Sequence, residues 1–303
     1  SACMRNEQQL ANSFKVLSFE GGFHGRSLGA LSLTRSKPIH KLDFPAFAWP
    51  TAPFPASRFP LEEHRAENRE SEARSLEIVE RCFRSHPGEI AAVIVEPIQG
   101  EGGDNHASPD FFRALRRLTR EYEVALIIDE VQTGGGATGS FWAHEAWQLD
   151  EPPDLVTFSK KLQLGGYFCR DEFQPAESLR IFNTFLGDPF RLAQLDVIVE
   201  VIEKDQLLSL VQDSGAALVK GLEGLAQRYP KRLAQARGRG TFAAIDACDT
   251  ATQVQLLKRC EARGLEIGGS GSRSIRFRPA LVYGARHVEE TLSILDAACR
   301  ELA

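Results

Sequence analysis

ALIIDEVQTGGG at 125–136 and LVTFSKKLQLGG at 155–166 decide how the rest of this chain is read. Each carries a short apolar run that reads as a buried strand, over 125–128 and 154–158, because such runs suit strands covered on both faces. Each then ends in chemistry. Asp129 follows the first, and the adjacent lysines Lys160 and Lys161 follow the second, with Gly165 and Gly166 just beyond. Between the strands lie a glycine run at 134–136 and a helix-compatible stretch around 141–147, enough chain for a right-handed crossover into a parallel strand. Both polar ends then emerge on one edge of the sheet, the edge at which open α/β sheets bind ligands. A third strand, over 91–95, carries Glu96 to the same edge.

An acid and an amine on such an edge suit pyridoxal 5'-phosphate. A lysine forms the Schiff base, and a carboxylate holds the ring nitrogen protonated so that the ring draws electrons. Taken singly, Asp129 reads equally well as a turn cap and the lysines as a solvated loop. Their joint placement points to the cofactor.

Outward from these strands the pattern stays α/β. A strand over 16–19 leads into a glycine-rich turn and a short helical stretch. A proline-rich connection over 38–60 follows, with Phe44, Phe47, Trp49 and Phe54 as apolar anchors. A charged helix is expected over 62–83. Ser108 and Pro109 open another, as an N-cap followed by a proline at the first helical position, and Phe112, Leu115 and Leu118 share one of its faces. Near 187–189 the pattern changes to two long helical stretches, with Leu207, Val211, Leu218, Leu222 and Leu225 on one stripe. Strands at 241–245 and 275–277 come next, then a final helix carrying Val288, Leu292, Leu295 and Leu302. The expectation is a mostly parallel α/β large domain over 1–190 and a smaller α+β domain over 191–303.

The composition narrows the function. With 43% hydrophobic residues in 303 the chain can build a core, and the net charge of -5 argues against a nucleic-acid surface. No apolar run approaches the roughly 20 residues of a membrane helix. Cys3, Cys82, Cys169, Cys248, Cys260 and Cys299 are scattered without the close pairs of a metal knuckle or a disulfide framework, which fits a reducing compartment. The histidines show no metal spacing; His24 is the one to watch, and the rest read as surface or core-edge groups. The opening residues do not read as a charged-then-apolar leader. Small metabolites are the expected partners.

Several longer motifs carry a family resemblance. GGFHGRSLGALSLTRSKPIHKLDFPAF (21–47), VEPIQGEGGDNHAS (95–108), DEVQTGGGATGSFWAHE (129–145), TFSKK (157–161), RIFNTFLGDP (180–189), RGRGTF (237–242) and SIRFRPALV (274–282) resemble the eukaryotic 4-aminobutyrate (GABA) aminotransferases, within the class-III pyridoxal-phosphate-dependent aminotransferases. The resemblance covers essentially the whole chain. It implies the fold-type-I architecture and ping-pong transfer of an amino group from 4-aminobutyrate to 2-oxoglutarate, giving succinate semialdehyde and glutamate.

It also implies roles. The Schiff-base lysine falls on Lys161, the second of the pair, which stands four residues before Gly165. Asp129 resembles the partner of the ring nitrogen, Gln132 the partner of the ring hydroxyl, and Phe23 the aromatic stacked on the ring. Arg26 resembles the arginine that takes the distal carboxylate of the substrate. Glu101 and Arg276 resemble a switching ion pair, in which a second carboxylate displaces Glu101 from Arg276. Thr184 resembles a hydroxyl that reaches the cofactor phosphate of a neighbouring subunit, which implies a homodimer with shared sites. The compartment implied is the cytosol or the mitochondrial matrix. Family members carry a further amino-terminal region with a phosphate-cradling glycine/serine turn, and this sequence is expected to start just beyond it. Two other readings stay open: a class-III transaminase for another ω-amino acid such as β-alanine or ornithine, and a non-catalytic fragment.

Overall fold

A computed structural model describes residues 14–302; Cys3 and the rest of the opening stretch lie outside it. Six strands form the first sheet: β1 (Lys15–Phe19), β2 (Thr51–Ala52), β3 (Ile90–Val95), β4 (Ala125–Asp129), β5 (Leu155–Phe158) and β6 (Gly166–Cys169). They lie in the order β2-β1-β3-β4-β5-β6. The first five run parallel, and β6 folds back antiparallel on β5. Parallel pairing follows from the sequence, because β3 and β4 are nearly continuous runs of alanine, valine, isoleucine and leucine with no polar alternation.

Helices α1 (Leu28–Leu33), α2 (Arg65–Ser85) and α3 (Pro109–Glu121) belong to this sheet. Ser108 caps α3 as expected, its hydroxyl accepting from Phe111 N at 3.3 Å. The Glu72 carboxylate of α2 accepts from both the amide and the hydroxyl of Ser108, at 2.8 and 2.9 Å, and so ties the two helices together. Phe111, Phe112 and Leu115 turn onto Leu126, Ile128, Val93 and Val95 of the sheet. Phe112 stacks on Trp147 with ring centroids 3.7 Å apart. Full burial of one such side chain is worth about 1.5–3 kcal/mol.

The expected helix around 141–147 is only a 3-10 turn, Ala143–Trp147. Glu130 explains it: its carboxylate accepts from His144 N at 2.8 Å and meets His144 Nδ1 at 2.8 Å, which pins the chain before a second turn can form. At the far end of β5, Arg116 and Asp154 pair at 2.6 Å, and Asp154 also accepts from Leu126 N at 2.7 Å. This pair braces the end of the sheet away from Asp129.

Beyond this sheet run α4 (Pro189–Lys204) and α5 (Leu207–Arg228), and α4 begins where the sequence pattern was expected to change. A second, antiparallel sheet follows, with β7 (Leu233–Arg239), β8 (Phe242–Ala247), β9 (Gly268–Ser270) and β10 (Ser274–Phe277) in the order β7-β8-β10-β9. Helices α5, α6 (Thr250–Glu261) and α7 (Ala285–Arg300) cover it around a separate core of Leu218, Leu222, Ile245, Leu256, Ile275 and Leu295. Strands β2, β6, β7 and β9 were not expected, and Leu302 lies past the end of α7 while still packing on this core. Among the described residues no helix is long and apolar enough to cross a membrane, and no group of three or more His, Cys, Asp or Glu is placed to hold a metal ion.

Candidate active site

Every expected strand end delivers its side chain to one edge of the first sheet. Asp129 closes β4, and its side chain is only 7% exposed. It accepts from Val131 N at 3.1 Å and from the Thr157 hydroxyl of β5 at 3.2 Å, and its other oxygen meets His24 Nδ1 at 2.8 Å. The loop after β1 brings His24 there. Glu96, at the end of β3, holds that loop by accepting from Phe23 N at 2.8 Å, and holds its own loop by accepting from Gly100 N at 3.1 Å.

Three buried ionisable groups thus share a small volume. Burial pushes the Glu96 carboxyl up to about 7, and the nearby Asp129 charge pushes the same way, against His24 and the two backbone donors. Burial alone would discharge His24, yet its hydrogen bond to Asp129 and the charges of Asp129 and Glu96 raise it above its ordinary value. The arrangement favours an imidazolium held against Asp129.

Next to this cluster lies a cavity of ≈ 390 Å³ lined by Glu101, Gln132, Lys160, Lys161, Gln163, Arg276 and Arg278. Glu101 comes from the loop after β3 and Gln132 from the turn after β4, whereas Arg276 arrives on β10 of the second sheet and Arg278 just beyond the end of that strand. Arg276 Nη1 donates to Glu101 Oε1 at 2.6 Å, so the expected ion pair is made. It outweighs the effect of burial and lowers the Glu101 carboxyl below its ordinary range. Gln132 lies over Gly100, where a Cβ would fall 2.1 Å from its side-chain oxygen, so a larger residue at 100 would displace the Gln132 amide.

The two lysines part company. Lys161 Nζ donates to the carbonyl of Pro279 at 2.7 Å, and after burial the charge that most affects it is Arg278. Lys160, at φ 45° on the single 3-10 turn Lys160–Leu162, stands instead in the field of Glu101, Glu96 and Asp129. Burial lowers both ammonium groups from their ordinary value. The Lys161 amine is thus held by a backbone carbonyl just beyond β10, and the Lys160 amine by the surrounding acids.

Phe23 is half-buried, edge-on to His40 at 5.2 Å, and the exposed Arg26 guanidinium sits 5.9 Å from the Phe23 ring centre. Thr184 lies on an exposed segment and is not brought to the cavity of its own chain. Thr157, Asp104 and Arg278 were missed in the sequence. Arg278 had a signal, because it stands two residues after Arg276, already a candidate, just past the end of β10.

The aminotransferase class-III family model matches residues 2–299. The 4-aminobutyrate aminotransferase of Dictyostelium discoideum is 49% identical over 302 residues, which is 100% of this chain and 61% of that protein. The mitochondrial 4-aminobutyrate aminotransferase of Homo sapiens is 48% identical over 297 residues, 97% of this chain and 59% of that protein. The chain therefore spans about three-fifths of the length of these curated relatives. Among solved structures, the lysine aminotransferase from M. tuberculosis in the internal aldimine form superposes with a TM-score of 0.90 at 34% identity, covering 97% of this chain and 68% of that one. With the strand-end acid, the paired lysines and the cavity between two sheets all in place, the chain belongs to the class-III aminotransferases.

Proposed function

We propose that this chain carries the catalytic residues of a 4-aminobutyrate:2-oxoglutarate aminotransferase. The observation that carries the reading is the Glu101–Arg276 pair on the wall of the lysine-bearing cavity. An amino donor with one carboxylate needs no second cation near its amine, whereas glutamate and 2-oxoglutarate bring a second carboxylate that Arg276 can take once Glu101 moves aside. One site can then serve both half-reactions. Relatives named for 4-aminobutyrate support the substrate choice.

Class-III aminotransferases work with pyridoxal phosphate, and the residues present fit its ring end. A buried carboxylate backed by an imidazolium suits a protonated ring nitrogen, and a lysine of lowered basicity suits the carbonyl carbon. When bound, the cofactor supplies an electron-withdrawing ring that eases proton loss from the carbon bearing the amine. Asp129 would hold the ring nitrogen, Gln132 would donate its amide N–H to the ring hydroxyl, and Phe23 would pack against the ring face. Lys161 Nζ would be the cofactor-linked amine, giving up its hydrogen bond to Pro279, and would take and return the proton at the reacting carbon. Lys160 would stand beside it as a neighbour. Arg26 would hold the carboxylate common to every substrate.

The expected division at residue 190 is retained here as two units, one for each core. A homodimer is proposed as well. Leu179, Phe182, Phe185 and Phe190 are 78%, 71%, 82% and 74% exposed on either side of Thr184, so a second copy covering them would bring Thr184 towards its site. The place of action is inside the cell, in the cytosol or the mitochondrial matrix. Single-turnover mixing of cofactor-loaded protein with 4-aminobutyrate, β-alanine and ornithine tests the substrate. Loss of the cofactor's visible band is expected fastest with 4-aminobutyrate, and a response to ornithine alone would replace this reading with the other class-III one.

A further inference from the structure

The hydrogen bonds around Gln132 form a chain in which one member has no role in the reaction proposed above. Gln132 Nε2 donates to Glu101 Oε1 at 3.4 Å, the same oxygen that takes Arg276 Nη1 at 2.6 Å. On its other side Gln132 Oε1 accepts from Arg278 Nε at 3.2 Å. Arg278 is itself anchored, giving Nη2 to Asp104 Oδ1 at 2.6 Å and Nη1 to the Phe277 carbonyl at 2.8 Å. Its guanidinium carbon lies 3.2 Å from the centre of the Phe242 ring. The Asp104 side chain is 0% exposed, so this charge pair is a fixed internal one.

A glutamine amide has an oxygen and an NH2 group of similar size, and packing alone hardly distinguishes its two orientations. Donors and acceptors do. A guanidinium offers donors only, so whatever Gln132 turns to Arg278 must be its oxygen. The NH2 is then left facing Glu101 and the cavity. Arg276 and Arg278 line the same cavity, yet they differ in kind. Arg276 is paired with a half-buried, displaceable Glu101, whereas Arg278 is neutralised by a wholly buried carboxylate and capped by an aromatic ring.

From this we infer that Arg278 is a positioning residue for Gln132: it fixes the amide with its oxygen turned away from the cavity and its NH2 presented to the cofactor's ring hydroxyl. The inference rests on the proposed place of Gln132 beside the cofactor, and it separates Arg278 from the arginines that take substrate carboxylates. Lysine at 278 would keep the charge opposite Asp104 but could not span Asp104 and Gln132 with a planar fork.

Two measurements test it independently. In cofactor-free protein the Gln132 side-chain amide resonances, identified by their loss in Gln132→Ala, are expected to shift in Arg278→Lys. They are expected to shift in the same direction, by less, in Asp104→Asn, which keeps Arg278 and loosens its anchor should the lysine variant fold poorly. In pyridoxal-phosphate-loaded protein the visible absorbance maximum is expected to move in Gln132→Ala and in Arg278→Lys, and no further in the double variant, because the second change acts through the first. Unmoved Gln132 amide resonances in both Arg278→Lys and Asp104→Asn would overturn the inference. So would a roughly tenfold loss of affinity for glutarate in Arg278→Lys that persists in the Gln132→Ala background, since Arg278 would then bind the dicarboxylate directly. A shifted amide combined with an unmoved absorbance band in Gln132→Ala would uphold the positioning and remove Gln132 from the cofactor.

Discussion

The imidazole of His24 and the carboxylate of Asp129, 105 residues apart in sequence, meet at 2.8 Å with side chains 2% and 7% exposed. The bond closes the loop after β1 onto the end of β4, and it makes the fold's stability depend on pH in a defined sense. His24 is raised above its ordinary value of 6.5. A raised basic group stabilises fully below its unfolded value and loses that contribution as pH rises through its folded one. The gap in thermal midpoint between the parent and His24→Gln is therefore expected to be widest below pH 6.5 and to narrow in alkali. A gap that widens with pH would mean that the imidazole is neutral in the fold.

Glu96, pushed up to about 7, should be seen titrating where solvent carboxylates are long ionised. Difference infrared spectra are expected to contain a protonated carboxyl band that fades across about one unit on either side of pH 7 and is missing in Glu96→Gln. A band that has gone by pH 5 would place Glu96 among ordinary acids.

The choice between the lysines is open to direct chemistry. Borohydride reduction of cofactor-loaded protein followed by peptide mapping is expected to mark Lys161. Lys161→Ala should lose about a hundredfold or more in turnover, whereas Lys160→Arg should keep most of it. A mark on Lys160 with none on Lys161 would overturn the reading from spacing.

Arg276 should matter unequally to the two half-reactions. A charge-assisted bond to a carboxylate is worth about 1.5–3 kcal/mol, so Arg276→Ala is expected to slow the glutamate and 2-oxoglutarate steps by roughly ten- to a hundredfold. The 4-aminobutyrate step should change far less. Equal losses in single-turnover experiments would remove the displaceable pair from the scheme.

Arg116 and Asp154, 3% and 4% exposed, test the scaffold rather than the chemistry. Asp154→Ala leaves a buried guanidinium and the Leu126 amide without their acceptor, at a cost of about 3–5 kcal/mol in denaturant unfolding. Arg116→Met with Asp154→Leu should recover part of that loss. No recovery would show that the Leu126 amide, not the ion pair, sets the cost.

Asp129, Gln132, Glu101 and Arg276 were legible because each stands at a strand end or in a motif whose position along the chain settles its position in space. The surroundings of the two lysines were not. On a 3-10 turn one residue is about a third of a revolution, enough to send adjacent amines to different walls. Nothing local reveals that the carbonyl of Pro279, more than a hundred residues away, takes the Lys161 hydrogen bond. The turn at 141–147 was read as a helix because its aromatic residues mimic a helical stripe, and nothing local reveals that the Glu130 carboxylate holds the His144 amide. β7 was hidden by its arginines and glycine, which read as a loop until Arg237 is seen reaching Gly103 and Asp104 of the other unit.

The cavity has walls from both sheets, with Lys160, Gln132 and Glu101 on one side and Arg276 and Arg278 on the other. It exists only while the two bodies stay docked, although each has a core of its own. The proposed activity would thus depend on this docking and not on either core alone. On gentle heating or in dilute denaturant, activity should vanish while the secondary structure of both bodies still reads as native, and it should return on dilution without either core having melted.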